Sequence, residues 1–173
     1  MFSEYELITY EDKGELDPND EMQKVVLLAP IGDYTGISMG IGLDSIQNNL
    51  EPTSFPSEHP LSADQNTWWS AWDKYRFVMI EGRIDGDSSG TLDDIFGYHT
   101  GHDICYREKE FTKNFSITTN SKTQLNFTIE MNDLFFGDDT LDVYTEPTFH
   151  GEMEIIDRAI RLSDNFSKGL KIE

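Results

Sequence analysis

Trp68-Trp69-Ser70-Ala71-Trp72-Asp73-Lys74-Tyr75-Arg76-Phe77-Val78-Met79-Ile80-Glu81-Gly82 is the stretch on which the reading of the fold turns. It opens as a cluster of indoles and closes in a strand-like alternation, which predicts a long strand from Tyr75 to Ile84. An acidic Gly/Ser turn over Asp85–Asp94 then leads to Phe96-Gly97-Tyr98-His99-Thr100-Gly101-His102-Asp103-Ile104-Cys105, where a second strand is expected over Ile95–His99. All three tryptophans, two of the four histidines and the single cysteine lie in these two pieces. Folded against each other, they would bring indoles and imidazoles to one shared pocket.

Upstream of this centre, Tyr5–Tyr10 reads as a strand, and Asp17-Pro18-Asn19-Asp20 as a loop. A short apolar run, Val25–Leu28, stops at Pro30, and Gly32-Asp33-Tyr34-Thr35-Gly36 reads as a turn. Ile37, Met39, Ile41 and Leu43 alternate with Ser38, Gly40 and Gly42, so a half-buried strand is expected with another segment packed closely on its glycine face. Residues 48–60 hold three prolines without periodicity and read as a long surface loop. Ser62-Ala63-Asp64-Gln65 has the capping-box pattern, which predicts one or two helical turns carrying Trp68 and Trp72 on one face.

Downstream, Phe111, Phe115 and Ile117 belong to a strand, and Leu125, Phe127, Ile129 and Met131 show the clearest alternation in the chain. Leu134-Phe135-Phe136-Gly137 closes a short turn or helical piece. Ile156, Ala159, Ile160, Ser163 and Phe166 instead repeat at helical spacing up to Gly169, predicting a helix of about three turns. Short strands set off by turn signals, followed by one helix, predict an all-β fold: an antiparallel β-sandwich with a short C-terminal helix, one domain over residues 1–173.

The chain has 173 residues, enough for one well-buried core, and carries 33 acidic against 13 basic side chains for a formal charge of −20. That balance argues against binding nucleic acid or anionic membranes, both of which need cationic patches. It is compatible with solubility, with cation binding, or with mimicry of a nucleic-acid backbone. One cysteine cannot make an internal disulfide or a cysteine-cluster metal site. No stretch reaches the roughly 20 apolar residues of a membrane helix, so no membrane insertion is expected. Residues 1–20 show no basic head, apolar run or cleavage site, and the chain is expected to be a piece of an exported precursor.

Four segments together resemble the MbnP-like family, exported β proteins of methanobactin operons that are widespread in Bacteroidota. Gly32-Asp33-Tyr34-Thr35-Gly36 with Ile41-Gly42-Leu43-Asp44-Ser45 and Asn48 is similar to the family's GxYTG…xGxDSxxN segment. Leu61 through Trp69, with Tyr75-Arg76-Phe77 and Glu81-Gly82, is similar to its LDPxxGMYWxW…GYxFxxxEG segment. Phe96-Gly97-Tyr98-His99-Thr100-Gly101 resembles FxYHxG, and Ser163-Asp164-Asn165-Phe166 resembles the terminal xxADNYxxMF helix. The resemblance lacks the family's first strand and its signal or lipoprotein leader.

The resemblance implies a binding protein and not an enzyme, in the periplasm or at the cell surface. In copper-binding relatives a tryptophan is oxidised to kynurenine by a di-haem peroxidase-like partner, and the new aromatic amine binds copper together with histidines. Imidazole and amine nitrogens suit copper. The matching residues here are Trp69 and His99. Relatives can place a histidine two residues after the tryptophan, where this chain has Ala71, so the second imidazole would have to come from His102 or His150.

Each candidate also has a plain structural reading. Large aromatics such as Trp68, Trp69 and Trp72 fill cores in any fold. His99 and His102 have His-x-x-His spacing, which reaches one metal from a tight turn but is a weak motif alone. Cys105 reads as a soft copper(I) ligand or as a small buried hydrophobe. His150 and Met153 are further copper(I) candidates. Asp85, Asp87 and Ser89 alternate as in a calcium loop, yet Phe96 stands where a bidentate glutamate belongs, and an acidic hairpin tip is the default. Copper is therefore the first expected ligand and calcium the second. The competing functions are a structural or interaction domain of the cell surface and an acidic nucleic-acid mimic.

Overall fold

The longest ladder in the computed structural model joins β1 (Gly32–Ile41) to β6 (Arg107–Ile117), antiparallel, from Gly32↔Ile117 to Ile41↔Arg107. The structure describes residues 5–8, 25–137 and 139–173. The register shifts between Tyr34 and Gly36, where a Cβ on residue 36 would lie 2.4 Å from the Phe111 carbonyl oxygen. The expected turn over 32–36 is thus the bulged first half of the strand. Tyr34, Ile37, Met39 and Ile41 turn one way, with Phe111 and Phe115 across the ladder. The expected close approach on the glycine face is there too. Tyr106 lies over Gly40, and the Phe77 ring presses on Gly42, whose φ of +83° no side chain adopts easily.

A three-stranded sheet forms the second main element. β4 (Met79–Ile84) pairs antiparallel with β5 (Asp94–His99), in register from Met79↔His99 to Ile84↔Asp94. Its other neighbour is the two-residue β8 (Thr148–Phe149), which runs parallel to β5 through Gly97↔Thr148 and Tyr98↔Phe149. One face of this sheet is sealed: Tyr98 and Phe149 are fully buried and join Ile41, Val78, Leu134, Leu141, Ala159 and Leu162 in the main core. Burying a side chain such as Leu162 contributes about 1.5–3 kcal/mol. The opposite face carries the functional groups described below.

The C-terminal helix α2 (Ile156–Gly169), 14 residues long, turns Ile156, Ala159, Ser163 and Phe166 inward as their spacing predicts, and buries Leu162 in the core besides. Arg161 fixes it to the chain leading into β8 by a two-pronged bond to Glu146, at 2.9 and 2.7 Å. Buried Asn165 donates to the carbonyls of Leu134 and Asp139, tying down α1 (Met131–Phe135) and the residues after it. With antiparallel sheets dominant and one C-terminal helix, the all-β class expected from the sequence holds.

Several local expectations are corrected. Ser62 caps only a single 3-10 turn, Ala63–Gln65, because Asn66 at φ 55° turns the chain out of it. Trp68 and Trp69 then form β2 (Trp68–Trp69), paired with β3 (Lys74–Tyr75), not a helical face. The strand expected over Tyr75–Ile84 is interrupted at Arg76–Val78, since Phe77 N–H bonds to the Thr100 carbonyl and Val78 N–H to the Thr100 hydroxyl. Of the alternating run Leu125–Met131 only β7 (Phe127–Thr128) finds a partner, β9 (Lys171–Ile172), and Met131 already begins α1. Residues 5–8 of the expected Tyr5–Tyr10 strand form no strand; the rest of it and the loop at Asp17 lie outside the described residues.

Candidate functional site

Three elements far apart in sequence meet on the open face of the three-stranded sheet. β5 ends in His99, which is 3% exposed. β8 delivers His150 immediately after Phe149, and the hairpin of β2 and β3 brings Trp69 above both. The His99 and His150 rings are 4.6 Å apart between centroids. Trp69 lies 4.9 Å from His99 and 6.1 Å from His150. Gly97 permits this crowding, because a Cβ there would stand 3.2 Å from His150 Nε2.

The second indole layer explains why His102 sits elsewhere. Trp72 stacks on Trp69 at 5.4 Å, and His102 stacks on the Trp72 ring at 5.2 Å. His102 Nε2 donates to the Gly151 carbonyl at 3.3 Å, so a backbone bond and an indole hold it. Gly151, at φ 109°, leaves room for Trp72: a Cβ would fall 1.9 Å from its Nε1. The structure thus sets His150 against His99, and His102 against Trp72.

Electrostatics around His99 are unusual. Its Nε2 meets Glu81 Oε1 at 2.6 Å, while its Nδ1 is buried and has no hydrogen-bond partner. A buried polar atom left unpaired costs about 1–3 kcal/mol. Burial holds the His99 pKa below the ordinary imidazole value, with His150 and Arg76 pushing the same way and Glu81 opposing. Arg76 lies 4.7 Å over the Trp69 ring, a cation–π contact, and its buried Nε is also unpaired. Arg76 and Glu81 were not singled out as site residues from sequence, although Glu81 sits in the quoted Glu81-Gly82 pair. A groove of about 420 Å³, lined by Glu81, Arg83, Ile95, Gly97, Thr148 and His150 among others, opens beside the site.

Asn48 braces this arrangement from below. Fully buried, it donates to the Gly101 carbonyl and to Asp103 Oδ1, each at 2.8 Å, and accepts from Tyr75 N–H at 2.9 Å. It therefore ties the segment after His99 to β3. Tyr75, whose hydroxyl lies 3.0 Å from the carbonyls of Leu50 and Leu61, has its pKa pushed up to about 12 by burial and by Glu51.

The remaining candidates lie apart. Met153 is exposed at the start of a 3-10 turn, Met153–Ile155. Cys105 is buried in the main core, where burial raises its thiol pKa, as befits a small hydrophobe. In the acidic loop, Asp85 accepts Ser89 N–H at 2.9 Å and Gly90 N–H at 2.8 Å, and Asp87 accepts Ser89 N–H at 3.0 Å. Carboxylates that would hold calcium are closing their own turn. Among the described residues, no three His, Cys, Asp or Glu side chains stand together as a metal-binding group.

What this defines is a β-rich protein with a paired-imidazole site roofed by indoles. The chain belongs to the MbnP family, whose model matches residues 2–152, and that family is associated with copper. The matched stretch includes Trp69, His99 and His150 and ends before α2. No curated protein and no solved structure matches the chain. Among the described residues, no helix is long and apolar enough to cross a membrane.

The donors present fit copper. Two imidazoles with centroids 4.6 Å apart, one of them with a buried unpaired nitrogen, are a nitrogen set of the kind copper prefers. Trp69 is the ring that lies against both imidazoles.

Proposed function

We propose that this is a non-enzymatic, exported copper-binding protein in which His99, His150 and a nitrogen derived from Trp69 hold the ion. The observation that carries the reading is the convergence of these three rings from three separate segments, at 4.6, 4.9 and 6.1 Å. An unmodified indole nitrogen is a poor ligand, whereas an aromatic amine made by opening the indole is a good one. The di-haem peroxidase-like partner of copper-binding relatives would provide that oxidation, with peroxide or dioxygen supplying the oxygens that cleave the indole C2–C3 bond and water releasing the formyl carbon as formate. In this reading Gly97 gives His150 its place, Trp72 supports the Trp69 ring from behind, and copper is the cargo.

The test is a copper titration of protein co-produced with such an oxidase, read beside its intact mass. One equivalent bound by the wild type, and none by His99→Ala or His150→Ala, is the expected result. No binding above background by the wild type sinks the proposal, as does binding that neither substitution disturbs.

The lack of a ready three-ligand cluster among the described residues favours a second reading, an interaction or structural domain whose indoles are packing. An unchanged tryptophan mass together with no copper uptake would support it.

A further inference from the structure

We infer that Glu81 is a positioning residue: it fixes which nitrogen of His99 faces the ion. The inference rests on the copper reading above. Glu81 lies on β4 opposite Gly97, two residues along the face from Met79, which is opposite His99. From there its carboxylate reaches diagonally to His99 Nε2 at 2.6 Å. A carboxylate can only accept at this contact, so Nε2 carries the proton and donates it. In the neutral imidazole, Nδ1 must then be the bare nitrogen.

Nδ1 is shut off from solvent and meets no donor, although Arg76 lies close by with an unpaired N–H of its own. A lone pair in that position is unsatisfied by the protein. An imidazole that binds a metal through one nitrogen typically donates the other N–H to a carboxylate, which sets tautomer and ring orientation and raises basicity. Glu81 and His99 stand in this relation. The carboxylate end is solvent-facing, with the Glu81 side chain 66% exposed against 4% for His99, so the proton is held from the outside and the lone pair kept inside.

The assignment is tested first without metal. Long-range proton–nitrogen NMR of the metal-free wild type is expected to show His99 as the Nε2–H tautomer with Nδ1 bare. Glu81→Ala should mix the tautomers and lower copper affinity by roughly 10–100-fold. Glu81→Gln keeps an oxygen acceptor and should restore both the tautomer and most of the affinity. An Nδ1–H tautomer in the wild type overturns the inference, and so does a Glu81→Ala protein with unchanged tautomer and unchanged affinity. If the wild type shows the Nε2–H tautomer but takes up no copper, the functional proposal fails while Glu81's hold on His99 stands.

Discussion

The acidic loop at 85–91 and the ring cluster at His99 are both rich in potential ligands, yet they treat polar atoms in opposite ways. In the loop, both Asp85 oxygens and one of Asp87 are taken up by amides within five residues, at 2.8–3.0 Å. At the cluster, side chains from three distant segments converge, and His99 Nδ1 and Arg76 Nε are left buried without partners. Ligand-type residues that satisfy themselves locally are shaping the chain. Those held unsatisfied by long-range packing are where binding energy remains to be gained.

The largest effect that separates the two regions should come from Asn48, which supports only the cluster. Asn48→Ala leaves the buried Tyr75 N–H and Gly101 carbonyl unpaired and is expected to cost about 2–4 kcal/mol, read from denaturant midpoints. Gly97→Ala is expected to leave stability nearly unchanged, because His150 is exposed and free to move aside. Displacing His150 should nevertheless weaken copper binding about tenfold, a change of about 1.4 kcal/mol. An unaltered affinity would mean that His150 does not need its place over Gly97.

Acid should divide the regions more gently. His99 has its folded pKa below the unfolded value, so its contribution is present above the ordinary imidazole range and is lost as pH falls through the lowered folded value. Asp87 is also lowered, by its bonds to Ser89, so its contribution persists until the pH drops below the ordinary carboxylate range. Stability of the wild type minus that of His99→Gln, followed against pH, should therefore fall in the first window only. The smallest effect concerns calcium. Asp85→Ala should change stability by about 0.5 kcal/mol, and added calcium should not shift melting of either protein. A calcium-dependent rise in the wild type would assign the loop a binding role.

Local pattern carried much of this fold and little of the site's assembly. The alternation of Ile37, Met39 and Ile41 and the helical spacing from Ile156 to Phe166 survive because each segment is long enough to bury a whole face. β8 was unreadable, since two residues hold no period, and it is β8 that delivers His150. The indoles misled for a related reason: the capping signal at Ser62 is genuine, but pairing of Trp68 with Tyr75 and of Trp69 with Lys74 outweighs it. Trp69 and His99 could be matched to family segments, whereas the choice between His102 and His150 depended on which ring Trp72 covers.

The two-residue parallel ladder between β5 and β8 has one more consequence. His150 is anchored to the sheet by little backbone of its own, so an ion shared with His99 would act as a cross-link between strands. Cargo at a hundred times its dissociation constant would add about 2.7 kcal/mol to the folded state. Thermal denaturation would then report the loading state of the molecule, and amide exchange at Tyr98 and Phe149 would slow as the cross-link closes.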